Sequence, residues 1–104
     1  MIARVWRGWA AQSSADDYQR HYESAVAEHL RTVPGFVDAR LLRRADGDEV
    51  MFTSIVTFED IGAVHIFAGD RPEVAVVEEA ARRALLRWDD HVVHHEVAAR
   101  LPLL

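Results

Sequence analysis

Hydrophobic and polar residues alternate along four segments of the chain. Such alternation is typical of β-strands that bury one face. The segments run from Ile2 to Trp9, from Phe36 to Arg44, from Glu49 to Phe58 and from His91 to Ala98. Between the second and third segments, Ala45-Asp46-Gly47-Asp48 has the composition of a tight turn, which predicts a β-hairpin.

Three other segments carry apolar residues three or four positions apart, the spacing of an amphipathic helix. The first predicted helix runs from Tyr18 to about Thr32 and ends before Pro34-Gly35. A second helix is predicted from Ile61 to Ala68, and a third from about Glu73 to Trp88. The order of predicted elements is therefore β, α, β, β, α, α, β.

This order is the split βαβ arrangement of a ferredoxin-like α+β fold, a four-stranded antiparallel sheet with helices on one face. The strands nevertheless carry apolar residues on both faces. Phe52 and Val56 point to one side, while Met51 and Ile55 point to the other. An exposed apolar sheet face indicates an interaction site. We therefore expect a homodimer that forms through the sheet face.

Composition narrows the possible functions. The chain has 104 residues, a net charge of -5 and no cysteine, and it also lacks lysine and asparagine. This length predicts a single domain, over residues 1–98, with an apolar tail over 99–104. The missing residues exclude disulfides, thiolate nucleophiles and Schiff-base chemistry. The acidic charge argues against nucleic-acid binding, and no apolar run approaches the ~20 residues of a membrane span. With no signal-peptide pattern in its opening residues, we expect a cytoplasmic protein.

Short motifs support a more specific interpretation. They are Met1 to Trp9 at the start, Val33-Pro34-Gly35-Phe36, Glu49-Val50-Met51-Phe52, Phe67-Ala68-Gly69, and Ala84 to Asp89 leading into His94-His95-Glu96-Val97. Together they resemble antibiotic-biosynthesis-monooxygenase-like domains of the dimeric α+β barrel superfamily, over about residues 1 to 98. The resemblance implies two sheets that pair into a dimeric barrel. It also implies a pocket between the sheet and the helices of each monomer.

The family includes cofactor-independent monooxygenases that oxidise polycyclic phenols to quinones, and haem-degrading oxygenases. Both commonly use an asparagine and a tryptophan in the pocket. This chain has no asparagine, and Phe67 lies where the tryptophan is usual. Val77 takes the place of the histidine that ligates haem. These departures argue against haem degradation, so the prediction is a protein that uses no cofactor. They also mean that a quinone-forming reaction here would depend on side chains other than the usual asparagine and tryptophan.

Histidine is the side chain best suited to proton transfer near neutral pH, and the chain has six. His65 is the first candidate for a general base, because the second helix borders the pocket in the family. His29 is the second candidate, because it lies in the apolar stripe of the first helix. For either, the alternative is a structural histidine bonded to a backbone carbonyl. His91 and His95 lie about 13 Å apart on one strand, too far to ligate one ion, so no metal site is predicted.

Four further residues are candidates for binding a substrate. Trp6 shares a strand face with Arg4, and that face is either a pocket or a dimer interface. An indole stacks well on a flat aromatic ring, and an arginine could hold a phenolate. Tyr22 is a hydrogen-bond donor, and Phe67 borders the pocket by resemblance. Arg40, predicted on the same face as Phe36 and Asp38, either pairs with an acid or binds an anionic ligand.

The residues and the resemblance predict an antibiotic-biosynthesis-monooxygenase-like enzyme that acts without cofactor on a small aromatic or polyketide-like molecule. A base removes a proton, and the pocket stabilises the resulting anion. The anion then either reacts with oxygen or attacks a carbonyl of the same molecule. The alternatives are a cofactor-free cyclase of the same fold and a non-catalytic, ligand-binding or structural homodimer.

Overall fold

The chain folds as an antiparallel sheet with helices on one face, in a computed structural model that describes residues 1–102. Its strands are β1 Ile2–Ala11, β2 Phe36–Asp46, β3 Glu49–Phe58, β4 Arg87–Trp88 and β5 Val93–Glu96. Their order is β2-β3-β1, with both β4 and β5 on the free edge of β1. Since β4 and β5 together fill the place of one interrupted strand, the predicted ferredoxin-like order is confirmed. Part of the predicted apolar tail, Leu103 and Leu104, lies outside the described residues.

The first helical region is continuous but irregular. It begins with a 3-10 turn, Gln12–Ser14, and continues as α1, Ala15–His21, a π-helical turn, Tyr22–Val26, and α2, Ala27–Arg31. The end agrees with the predicted first helix, whereas the helical region begins before the predicted start at Tyr18 and its π-helical turn was not predicted. Such turns occur frequently at functional sites.

Two further helices follow: α3, Ile61–Ala68, and α4, Glu79–Ala84. The bounds of α3 are those predicted, and the side chain of Asp60 caps its first turn by accepting a hydrogen bond from the amide of Ala63. None of the helices within residues 1–102 is long and apolar enough to cross a membrane.

The predicted third helix is wrong at both of its ends, because backbone groups there pair with other strands. Residues 72–78, called the strap below, are not helical: they begin with a turn at 72–73, Val74 forms a β-bridge with His91, and the rest is irregular. The run of valines in the strap favours extended backbone. At the other end, the Leu86 amide donates to the Trp9 carbonyl at 2.7 Å. Only Glu79–Ala84 remains helical.

The inner face of the sheet packs against the helices and contains the core. The largest fully buried side chains are Phe52, Phe58, Leu30 and Val64. Phe52 and Phe58 come from alternate positions of β3, as the hydrophobic pattern predicts. The outer face is less covered, and Leu42 and Val93 there are 51% and 57% exposed.

A β-bulge in β2 changes which face several residues occupy. The register shifts between Phe36 and Asp38, so Phe36 pairs with Phe58 on the inner face. Arg40 pairs with Ile55 on the outer face. The prediction that Phe36 and Arg40 share a face is therefore wrong, because the extra residue at the bulge shifts the alternation by one.

Two glycines with positive φ allow a matched test of the packing between α3 and the start of β2. Gly35 has φ +87°, and a Cβ there would lie 2.8 Å from the Cβ of Ala63. Gly47, in the hairpin turn, has φ +63° and open space around it. We expect Gly47→Ala to lower the free energy of unfolding by about 1 kcal/mol through backbone strain. Gly35→Ala should cost about 1–3 kcal/mol more, because it also overpacks.

Urea denaturation of both variants, with similar m-values, measures this difference. The entropy lost by the unfolded chain is common to both substitutions and cancels in the comparison. Equal destabilisation of the two variants would show that α3 moves away from a Cβ at position 35. The close approach of Gly35 to Ala63 would then not constrain the packing.

Candidate functional site

A small cavity lies between the inner face of the sheet and the helices. β1 contributes Arg4 and Trp6, β3 contributes Ser54, and the strap closes one side with Val76 and Val77. Its volume is about 70 Å³, well below the roughly 300–1,000 Å³ of most ligand pockets. A ligand containing an aromatic ring can therefore enter only if one wall moves.

Tyr22 separates this cavity from a larger one. Its hydroxyl lies 2.8 Å from the Ser54 hydroxyl, in the buried interior. Burial raises the pKa of Tyr22, so the phenol stays neutral at physiological pH and can donate a hydrogen bond. Beyond Tyr22, between the first helical region and β2, lies a cavity of about 460 Å³ lined by Ala39 and Leu41. The Tyr22–Ser54 pair forms the wall between the two.

Aromatic side chains form the apolar walls of the smaller cavity. The indole N–H of Trp6 donates to the Asp89 carbonyl at 2.8 Å, which fixes the ring orientation. The Phe67 ring lies 5.7 Å from the ring of Phe58 and 4.9 Å from the imidazole of His29, between centroids. The site therefore offers flat apolar surfaces with a histidine at their border.

Arg4 is a cation in the cavity lining, and its side chain is almost completely buried. The residue is 5% exposed, and burial lowers its pKa to about 10. It therefore remains a cation at neutral pH. Its Nη1 group donates to the Pro72 carbonyl, and Nη2 donates to the Val74 carbonyl at 3.3 Å. The guanidinium also lies over the Phe67 ring, 5.7 Å from its centroid.

The same guanidinium determines the protonation state of His94. Nη1 of Arg4 lies 3.0 Å from Nε2 of His94. Since a guanidinium has only donors, Nε2 must be the acceptor, and the neutral imidazole carries its proton on Nδ1. Burial, followed by the positive charge of Arg4, lowers the pKa of His94; Glu73 opposes this effect, whereas His65 and His95 add to it.

The structure brings together four of the six site residues predicted from sequence. His29, Trp6, Tyr22 and Phe67 all line the cavity. His65 does not: both histidines are exposed, but His65 is absent from the cavity lining and its Nδ1 lies 3.0 Å from the Gly69 carbonyl at the end of α3. The role of each remains a prediction, but the placement favours His29 over His65 as a base.

Arg40 is also absent from the cavity, because the β2 bulge turns it to the outer face. His21 also lines the cavity. Arg4 was recognisable from sequence, since it alternates with Trp6 on one strand. His94 was not, because only the register of β1 with β5 sets it opposite Arg4.

No protein-family model and no curated protein matches this sequence. Solved structures do share the fold. The N63A mutant of SnoaB, a cofactor-independent oxygenase from Streptomyces nogalater, is similar at 19% identity and TM-score 0.70, over 98% of this chain and 97% of that chain. A monooxygenase from ActVA-Orf6 of Streptomyces coelicolor, in complex with Nanaomycin D, is similar at 20% identity and TM-score 0.67, over 98% and 92%.

A haem degrader also has this fold. MhuD from Mycobacterium tuberculosis, with two haems bound, is similar at 15% identity and TM-score 0.61, over 97% of this chain and 99% of that chain. The residues of the present cavity do not fit a haem. Val77, which the resemblance sets in the place of the haem-ligating histidine, lines the cavity and offers no ligand. Residues 1–102 contain no group of three or more histidine or acidic side chains placed to hold a metal ion. At these identities the comparisons confirm the predicted resemblance at the level of the fold.

The Arg4–His94 contact predicts how stability depends on pH. Because the folded pKa of His94 is lowered, its contribution to stability is complete above the unfolded value of about 6.5. The contribution is lost as pH falls through the folded pKa. In His94→Gln the amide oxygen can accept from Arg4 without titrating, so the loss of stability on acidification should be smaller.

Urea denaturation at about pH 7.5 and about pH 5.5 measures this loss, the two values lying on either side of the unfolded histidine pKa. His95→Gln, on the opposite face of the same strand, is the matched control and should behave as the wild type. An unchanged loss of stability in His94→Gln would contradict the assignment.

Proposed function

We propose that this protein is a cofactor-independent oxygenase of the antibiotic-biosynthesis-monooxygenase type, acting in the cytoplasm on a small aromatic phenol. The observation that carries the proposal is the cavity itself, in which His29 borders the flat surfaces of Trp6 and Phe67 beside the cation of Arg4. The fold shared with the cofactor-independent oxygenase SnoaB over 98% of this chain supports it.

The chemistry suits these side chains. His29 takes a proton from the phenol, and the negative charge spreads over the ring. The electron-rich ring passes an electron to molecular oxygen, and the two radicals combine to form a carbon–oxygen bond. Cleavage of the oxygen–oxygen bond then releases water and leaves a carbonyl on the ring. The substrate is thus oxidised to a quinone and oxygen is reduced, so the reaction needs no other reductant.

Each side chain has a defined part in this sequence. Trp6 and Phe67 offer flat apolar faces to the ring, and Tyr22, held neutral by burial, can donate to the developing oxyanion. An apolar site also strengthens each of these electrostatic contacts relative to water. Arg40 and His65 stand outside this arrangement.

Oxygen consumption tests the proposal. We expect dithranol, a tricyclic phenol, to be oxidised faster with the protein than without it, with one oxygen molecule consumed for each quinone formed. His29→Ala should lower kcat by about 100-fold or more, the usual contribution of a general base. His65→Ala is the matched comparison and should retain the wild-type rate.

The opposite result, loss of activity in His65→Ala alone, would identify His65 as the base, in agreement with the order of candidates predicted from sequence. Absence of protein-dependent oxygen uptake with mono-, bi- and tricyclic phenols would contradict the oxygenase proposal. The small volume of the cavity, about 70 Å³, would then favour a non-catalytic homodimer.

We also propose that two copies pack through the outer faces of their sheets. Val5 lies between Ile55 on one neighbouring strand and Val93 on the other, which makes a continuous apolar centre. Val93 is 57% exposed. A stable interface of about 1,200–2,000 Å² would cover this centre.

Light scattering should give a mass about twice 11.8 kDa. Ile55→Glu places a charge in the proposed interface and should yield the monomer mass. Ile66→Glu, at a helix position that is 60% exposed, is the matched control and should remain dimeric. A monomeric wild type would overturn the proposed assembly.

A further inference from the structure

The positive charge of Arg4 has no acidic partner. The residue is 5% exposed, and it takes part in none of the ion pairs formed within residues 1–102. Its acceptors are neutral: the carbonyls of Pro72 and Val74 and the imidazole of His94. Buried charges in proteins are normally paired, because an unpaired one costs several kcal/mol. Arg4 therefore lacks a paired anion, since the one carboxylate that lines the cavity within residues 1–102, that of Glu78, forms no ion pair with it.

The guanidinium also retains unused donors. It has five N–H groups, and its three recorded hydrogen bonds come from Nη1 and Nη2. Nε of Arg4 makes no hydrogen bond within residues 1–102, where every fully buried side-chain nitrogen or oxygen atom has a partner. Nε is therefore not fully buried. Because Arg4 lines the cavity, this donor is available to a ligand there.

Arg4 also holds one wall of the cavity in place. The carbonyls that it binds, of Pro72 and Val74, belong to the strap, and Val76 and Val77 of the strap line the cavity. Elsewhere the strap is attached by backbone hydrogen bonds, such as the one from the Ala75 amide to the Asp90 carbonyl at 2.9 Å. Arg4 thus holds the start of the strap at the cavity, and Arg82 holds its other end by donating from Nε to the Val77 carbonyl at 3.1 Å.

We propose that Arg4 is the receptor for an ionised oxygen on an aromatic ligand, and that this oxygen displaces the carbonyls of Pro72 and Val74, so that the strap opens. The proposal rests on the proposed function for the aromatic ring and for the proton transfer to His29, and it adds the group that receives the oxyanion formed by that transfer. Hydrogen bonds between a guanidinium and an oxyanion are about twice as strong as those to neutral acceptors. Exchange of neutral carbonyls for an anion is therefore favourable, and the Phe67 face beneath Arg4 offers a surface for the ring.

Absorbance titration of 4-nitrophenol tests the receptor without any turnover, because its phenolate and phenol absorb at different wavelengths. With excess wild-type protein, we expect the apparent pKa of 4-nitrophenol to fall by at least about one unit, which is a tenfold preference for the phenolate. Benzoate should compete with it and benzamide should not, since only benzoate is charged. No shift with the wild type would overturn the proposal.

Variants test whether the lowered apparent pKa of 4-nitrophenol depends on Arg4. Arg4→Gln should abolish the shift, and Arg44→Gln, an exposed arginine on the outer sheet face, should retain it. An equal loss in both would also overturn the proposal, since it would indicate a general effect of net charge. If Arg4→Gln does not fold, Arg4→Lys keeps a cation and should show a smaller shift.

Hydrogen exchange tests whether the ligand oxygen displaces the strap carbonyls from Arg4. We expect the Ala75 amide to exchange faster when 4-nitrophenolate is bound, and to exchange fast without ligand in Arg4→Gln. Slower exchange on binding would show that Arg4 keeps its carbonyl partners and would overturn the exchange of acceptors.

The two proposals fail separately. A phenolate preference without oxygen uptake contradicts only the oxygenase. Oxygen uptake that is unchanged in Arg4→Gln, with no shift for 4-nitrophenol, contradicts only the receptor.

Discussion

Strand β1 pairs with β3 along one edge and with β4 and β5 along the other, and the cavity depends on this double pairing. The pairing sets His94 opposite Arg4 and brings the Asp89 carbonyl to the indole of Trp6. It also connects the two ends of the chain, since β1 begins the fold and β5 closes it. A shift of this register by one residue would turn Arg4 and Trp6 to the outer face.

The cavity has apolar walls with a few polar side chains, and its cation is Arg4. The cation of Arg4 is stabilised by backbone carbonyls, by the His94 imidazole and by the π-face of Phe67. Each of these is weaker than a carboxylate, so the arrangement is stable enough to fold yet leaves a stronger interaction with an anion possible. The carbonyls belong to the strap, whose backbone is also hydrogen-bonded to residues 90–92. In the proposed exchange of acceptors, Arg4 would therefore both bind the anion and control access to the cavity.

Much of the fold was predictable because its strands, hairpin and helices follow from the hydrophobic pattern and turn residues of short segments. Alternation placed Phe52 and Phe58 in the core, and Asp46-Gly47 located the hairpin. The predictions failed where local preference competes with pairing to distant strands. The strap was predicted as helix, yet Val74 bonds across to His91. The bulge after Phe36 could not be read from alternation either, because a single inserted residue leaves the pattern intact on each side of it.

The candidate site, too, was predictable only in part. The spacing of residues in the sequence singled out Trp6, Tyr22 and His29, and the family resemblance added Phe67; all four line the cavity. The sequence also determined that the side chains include no thiol and no primary amine. Only the tertiary structure decided that Arg4 meets His94 and the strap, that Arg40 faces outward and that His65 lies outside the cavity. The physical reason is that a local pattern fixes which way a side chain points only where the alternation is unbroken, whereas its partners depend on strand register and on chain segments up to 90 residues away.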